Sequence, residues 1–114
     1  MQNAKSISKY VRVPPRKARL AADIIRGMSV EDATTQLKFS PLKAGKLLLK
    51  TLDSAVANAE TQMNVRRKNL TVKEVRVDCG PVLKRAKSKS RGGRVPVMKR
   101  TSHFTVVLAT SQSE

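Results

Sequence analysis

Lys84, Arg85, Lys87, Lys89, Arg91, Arg94, Lys99 and Arg100 crowd into one stretch, residues 78–105, in which no acid follows Asp78. A second acid-free stretch, residues 5–19, carries Lys5, Lys9, Arg12, Arg16, Lys17 and Arg19, and the first acid of the chain comes only at Asp23. The chemistry available to such residues is recognition of anions. A lysine acts on phosphate as a point charge and an arginine can grip it with two parallel N–H groups. Residues for covalent chemistry are scarce. His103 is the only histidine and Cys79 the only cysteine, and Cys79 precedes Gly80-Pro81 with no activating helix terminus in the pattern. A polar or anion-facing imidazole and a strand-end thiol are the simpler readings of these two. The acids are scattered, and no zinc-helix motif, Walker loop or dinucleotide fingerprint occurs. The chain reads as a binding protein and not an enzyme, with no cofactor and no metal.

The elements that position these cations follow from local pattern. Pro81-Val82-Leu83-Lys84-Arg85 and Pro96-Val97-Met98-Lys99-Arg100 repeat one form on either side of Arg91-Gly92-Gly93-Arg94. Gly-Gly suits the positive-φ positions of a hairpin turn, so residues 80–103 read as a long antiparallel ribbon. With a two-residue turn at Gly92-Gly93, Arg91 faces Arg94 and Arg85 faces Arg100. Like charges opposed in this way repel by about 0.2–1 kcal/mol. Arms of about eleven residues span roughly 35 Å, against a radius of gyration of about 13 Å for a compact domain of this size. The ribbon is therefore expected to project, and to be held by something anionic.

With 114 residues there is material for one domain, residues 1–114, and one modest core. Lysine and arginine total 24 against 8 acids, a net charge of +16 and a pI near 11.1, which makes nucleic acid the first candidate partner. No apolar run approaches the ~20 residues of a spanning helix, and the N-terminus MQNAKSISKY lacks the apolar segment of a signal peptide, so no membrane partner is expected and a cytoplasmic address fits. One cysteine excludes an internal disulfide framework. Tyr10, Phe39 and Phe104 are the only aromatics, too few for stacking on splayed bases to be the main mode. Phosphate contact and shape recognition remain, with RNA ranked above DNA.

Along the chain, Ile7, Val11 and Val13 alternate with Ser8, Tyr10 and Arg12 as the apolar face of a short strand, broken by Lys9. Pro14-Pro15 ends it and opens a helix near Pro15, with Ala18, Ala21, Ala22 and Ile25 on one face and Gly27 as its stop. Ser29 caps a second helix with Asp32 at capping-box spacing, and Val30, Ala33 and Leu37 on its buried side. Ser40-Pro41 reads as the start of a third, in which Leu48, Leu52, Ala55, Val56, Ala59 and Met63 form the core stripe while Lys43, Lys46 and Lys50 lie away from it. Leu70, Val72, Val75 and Val77 suit a strand whose alternation changes phase at Lys73-Glu74, the mark of a bulge. A return strand runs through Phe104, Val106 and Leu108, and the tail 109–114 reads as frayed. The fold class is α+β, one domain without an internal linker.

Three segments also resemble a known family. YVRVPPRKARLAADIIRG, LKTLDSAVANAE and EVRVDCGPVLKRAKSKSRGGRVPVMKRTSHFTVVL are similar, in this order, to the bacterial large-subunit ribosomal protein L-twenty-two family. The resemblance implies three helices packed on a small three-stranded antiparallel sheet, with a long protruding β-hairpin. It also implies a structural role in the large ribosomal subunit, in the cytoplasm. The partners would be large-subunit (23S) ribosomal RNA, whose folding the protein helps to organise during assembly, neighbouring large-subunit proteins, and the nascent polypeptide in the exit tunnel. No homo-oligomer is expected. Carried onto this chain, residues 84–100 form a tunnel-wall arm, with Ser90, Arg91, Gly92, Gly93 and Arg94 at its tip. The RNA-binding set is that of the two basic stretches together with His103. The alternative is a DNA-bending architectural protein with basic β-ribbon arms. Such a protein wants a dimer-forming core and an apolar wedge at each tip, whereas Arg91 and Arg94 around Gly-Gly suit packing between phosphates.

Overall fold

Pro14 and Pro15 divide the N-terminal strand from the first helix, as a residue with fixed φ and no N–H must. The structure, a computed structural model, describes residues 3–88 and 94–110, and for 85–88 and 94–97 the backbone alone. Strand β1 (Asn3–Val11) is followed by helices α1 (Pro15–Ile25), α2 (Val30–Lys38) and α3 (Lys43–Gln62), then by a single 3-10 turn (Arg67–Asn69). Strands β2 (Leu70–Cys79), β3 (Leu83–Ser88), β4 (Arg94–Lys99) and β5 (Ser102–Thr110) complete the chain. β5 lies between β1 and β2 in an antiparallel three-stranded sheet, and β3 and β4 pair only as a second, two-stranded sheet. The fold is α+β, with the helices packed on one face of the three-stranded sheet. The molecule extends over 67 × 24 × 17 Å with a radius of gyration of 17.0 Å, well above the about 13 Å of a compact chain of this length.

The core lies between helices and sheet. Ile25, Leu37, Leu48, Leu52 and Val56 meet Leu70, Val72, Val75, Phe104, Val106 and Leu108, all nearly inaccessible to solvent. α1 begins with Pro15 at its first turn and buries Ala18, Ala21, Ala22 and Ile25. It ends where Gly27 takes φ +85°, and the Gly27 N–H donates to the Val72 carbonyl while the Val72 N–H donates to that of Met28. α2 is capped by Ser29, whose Oγ accepts from the Asp32 N–H at 3.3 Å. β2 carries its register shift between Val72 and Glu74, the bulge expected from the change of alternation.

Four sequence expectations need correction. α3 starts at Lys43, not at Ser40-Pro41. Ser40 forms the turn before it, its Oγ accepting from the Leu42 N–H, packed so closely on Gly45 that a Cβ there would lie 2.8 Å away. The inward face of β1 is Ala4, Ser6 and Ser8 rather than a line through Ile7, which is 48% exposed. Small residues fit there because α3 crosses close by, with the Thr51 hydroxyl hydrogen-bonded to that of Ser8 at 2.8 Å. A bulge between Ser8 and Val11, with Tyr10 at φ +60°, then resets the phase so that Val13 points inward. In the ribbon, Arg85 pairs with Val97, and Ser88 with Arg94. Arg85 therefore does not face Arg100, and the residue across from Arg94 is Ser88. The Gly92-Gly93 turn itself lies outside the described residues. Finally, Ala109 and Thr110 belong to β5 rather than to a frayed tail.

Candidate nucleic-acid interface

Two buried residues at the start of β5 organise the surface where both basic stretches arrive. Ser102, fully buried, donates from its hydroxyl to the Val13 carbonyl at 2.6 Å, and the Val13 N–H donates to Val11 at 2.8 Å. This fixes the turn that carries Arg12 and aims α1. Thr101 donates to the Pro81 carbonyl at 2.7 Å, and the Gly80 N–H donates to Thr101 at 3.0 Å. Those bonds fix the root of the ribbon. Gly80 allows the contact: a Cβ there would lie 2.4 Å from the Thr101 hydroxyl. One strand end therefore sets the relation between the first turn of α1 and the ribbon.

The result is a pair of adjoining clefts. The larger, about 390 Å³, is lined by Pro14, Pro15, Arg16, Lys17, Arg19, Cys79 and Arg100. The smaller, about 280 Å³, shares Pro14 and Lys17 with it and is otherwise lined by Arg12, Val13, Leu42, Lys43 and Ala44. Arg100 from the ribbon root and Arg16, Lys17 and Arg19 from α1 share one cleft although they are far apart in sequence. The first turns of α1 and α3 contain no acid, so their dipoles add to the positive potential. Arg19 is oriented by the fold, its Nε and Nη2 donating to the Val77 carbonyl at 3.2 and 3.1 Å. Among the described residues the ion pairs use other cations: Arg26 with Asp23 at 2.6 Å, Arg67 with Asp53 and Arg76 with Glu74, both at 3.5 Å. Arg12, Arg16, Lys17 and Arg100 pair with no acid in that set.

The remaining expected contacts are distributed. Lys5 and Lys9 are exposed on β1, with Lys5 on the sheet face away from the helices, and Lys84 and Lys99 are exposed at the base of the ribbon. Arg85, Lys87 and Arg94 lie on the ribbon strands. Lys89, Ser90, Arg91, Gly92 and Gly93 lie outside the described residues. His103 is half-buried and turned to the protein itself: its Nδ1 accepts from the Tyr10 N–H at 3.1 Å, and its ring meets the Tyr10 ring edge-on with centroids 5.0 Å apart. Cys79 is exposed at the end of β2, with an Nη of Arg19 at 4.0 Å from its sulfur. Lys43 is the cation that sequence reasoning missed. Its place off the core stripe suggests no more than a solvated helix position, yet it stands first in α3 beside Arg12 and Lys17; the absence of an acid in the following turn was the available signal. No group of His, Cys, Asp and Glu among the described residues is placed to hold a metal, and none of their helices is long and apolar enough to cross a membrane.

An α+β domain with helices on one sheet face, a projecting basic ribbon and, at its root, cations without acidic partners among the described residues has the build of a basic structural protein. Comparison with known proteins makes this specific. The family described as Ribosomal protein L22p/L17e matches residues 6–109, and the chain belongs to that family. It is 71% identical over 109 residues to the large ribosomal subunit protein uL22 of Protochlamydia amoebophila (strain UWE25), covering 96% of this chain and 98% of that protein. It is 60% identical over 108 residues to uL22 of Chlamydia pneumoniae, covering 95% and 97%. It is 64% identical over 104 residues to uL22 of Chlamydia muridarum (strain MoPn / Nigg), covering 91% and 94%. The chain is accordingly a structural component of the large subunit of the cytoplasmic bacterial ribosome, and not an enzyme.

Proposed function

We propose that this protein binds large-subunit (23S) ribosomal RNA through the cationic surface around α1 and the ribbon root, and helps to draw RNA segments together during assembly. The ribbon then extends between RNA segments, and its tip, Ser90 to Arg94, lines the nascent-polypeptide exit tunnel. Its partners are that RNA, neighbouring large-subunit proteins and the passing polypeptide. The observation that carries this reading is the meeting of two acid-free basic stretches at one cleft, with Arg16, Lys17, Arg19 and Arg100 on its walls. Cations left without acidic partners gain most from phosphate, which releases counterions as they bind.

Salt titration tests it. Affinity for a large-subunit RNA fragment should fall linearly on a log–log plot, by about 0.7–0.9 per phosphate contacted. Substituting Arg16, Lys17 and Arg100 together by Ala should lower that slope by about one for each phosphate no longer neutralised. A slope near zero, or equal affinity for duplex DNA of the same length, would overturn the reading.

A further inference from the structure

The larger cleft is too roomy, and its floor too apolar, for a bare phosphate. Its volume of about 390 Å³ lies within the range of about 300–1,000 Å³ typical of small-molecule pockets. Pro14, Pro15 and Cys79 contribute uncharged wall, while Arg16, Lys17 and Arg100 bring charge. Arg19 differs from those three. Two of its N–H groups are engaged by the Val77 carbonyl, which restricts the plane of the guanidinium. A restricted guanidinium plane is a stacking platform for a base. Of the three aromatics none lines this cleft: Phe104 is buried, Tyr10 meets His103 edge-on, and Phe39, 76% exposed, stands at the end of α2.

We propose that this cleft seats one unstacked nucleotide of the RNA, its base between the Pro14-Pro15 wall and the Arg19 guanidinium, its phosphate held by Arg16, Lys17 and Arg100. The assignment rests on the RNA-binding reading above and adds a single-stranded element to it. The target would be a bulge or loop from which one nucleotide can be turned out, rather than continuous duplex. Such a contact adds shape selection to a surface otherwise built for charge, because duplex RNA keeps its bases stacked.

Cys79 provides the test in the unaltered protein. It is the only cysteine, it is exposed, and it lines the cleft. The rate of its alkylation by iodoacetamide, a neutral reagent, is measured with the full chain alone and with each nucleoside monophosphate, ribose 5-phosphate or inorganic phosphate. A nucleotide that fills the cleft should slow the reaction as occupancy rises, about tenfold at ten times its dissociation constant. Ribose 5-phosphate and inorganic phosphate at equal concentration should leave the rate near that of the free protein. Equal slowing by ribose 5-phosphate would reduce the cleft to an anion site and overturn the proposal, as would no slowing by any nucleotide. Retention of a large-subunit RNA fragment by the same protein is measured in parallel. Failure there strikes the RNA-binding reading, whereas retention with an unprotected cleft strikes the nucleotide site alone.

Discussion

The layered domain and the ribbon are built on opposite principles. In the domain, strands and helices share one interior, so that Phe104 of β5 is fully buried among side chains from both layers. β3 and β4 have only each other: Leu83 pairs with Lys99, Lys84 with Met98, Arg85 with Val97, Ala86 with Pro96 and Lys87 with Val95. In this register every described cation of the ribbon stands across from an uncharged residue. Direct cross-strand repulsion is thereby avoided, which a two-residue turn at the glycines would have imposed. The difference teaches that the ribbon's charge is compatible with its pairing, yet its stability owes little to the core. Isolated two-stranded hairpins are marginal in water, so the ribbon should depend on its root and its partner.

Substitutions can break that contrast, and the core should respond most. Phe104→Ala removes the largest fully buried side chain and should cost about 3–5 kcal/mol, enough to unfold much of the population at ambient temperature. Denaturant titration measures it; a loss below ~1 kcal/mol would mean that the interior is far looser than the burial implies. Gly80→Ala, at the junction, should cost less, about 1–3 kcal/mol, since its Cβ would collide with the Thr101 hydroxyl at 2.4 Å and displace the ribbon root. The discriminating readout is a double variant with Thr101→Ala, which should recover part of the loss. Ser102→Ala leaves the Val13 carbonyl without its 2.6 Å hydrogen bond and should cost about 1–3 kcal/mol, the penalty for an unpaired buried acceptor. Thermal melting together with RNA affinity would show whether the turn carrying Arg12 relaxes.

How far the sequence foretold this arrangement depended on whether a local rule was in competition with a neighbour. Pro15, the Ser29 cap and the Leu48–Val56 stripe acted through their own backbone and spacing, and the helices follow them. The bulge at Val72–Glu74 was visible as a change of alternation. The phase of β1 was not, because its apolar residues point both ways and the close passage of α3 selects Ala4, Ser6 and Ser8. Ribbon register was hidden for a different reason: a glycine pair marks a possible turn, whereas pairing is settled by every rung of the ladder. The cationic set was legible as two acid-free stretches. Their convergence was not, since it depends on Thr101 and Ser102, small polar residues with no charge or motif to mark them.

The smallest expected effect on stability comes from shortening the ribbon, and it gives the sharpest test of the contrast. Arg85 and Val97 are paired, so replacing residues 86–96 by Asn-Gly would close the strands with a two-residue turn of the favoured primed type. The root bonds of Gly80 and Thr101 lie outside the replaced segment. Every buried apolar residue described in the core also lies outside it. The melting transition of the domain should then shift by no more than corresponds to about 0.5 kcal/mol, the range of substitutions that touch no buried contact. Amide exchange separates the two regions within the intact protein. Residues 48–59 of α3 should exchange only through near-global unfolding, whereas amides on β3 and β4 should open locally and faster. RNA should slow the ribbon amides far more than those of α3, because it supplies the contacts the domain does not. Equal protection of both regions in the free protein, or a large loss of stability on shortening, would show that ribbon and domain form one cooperative unit.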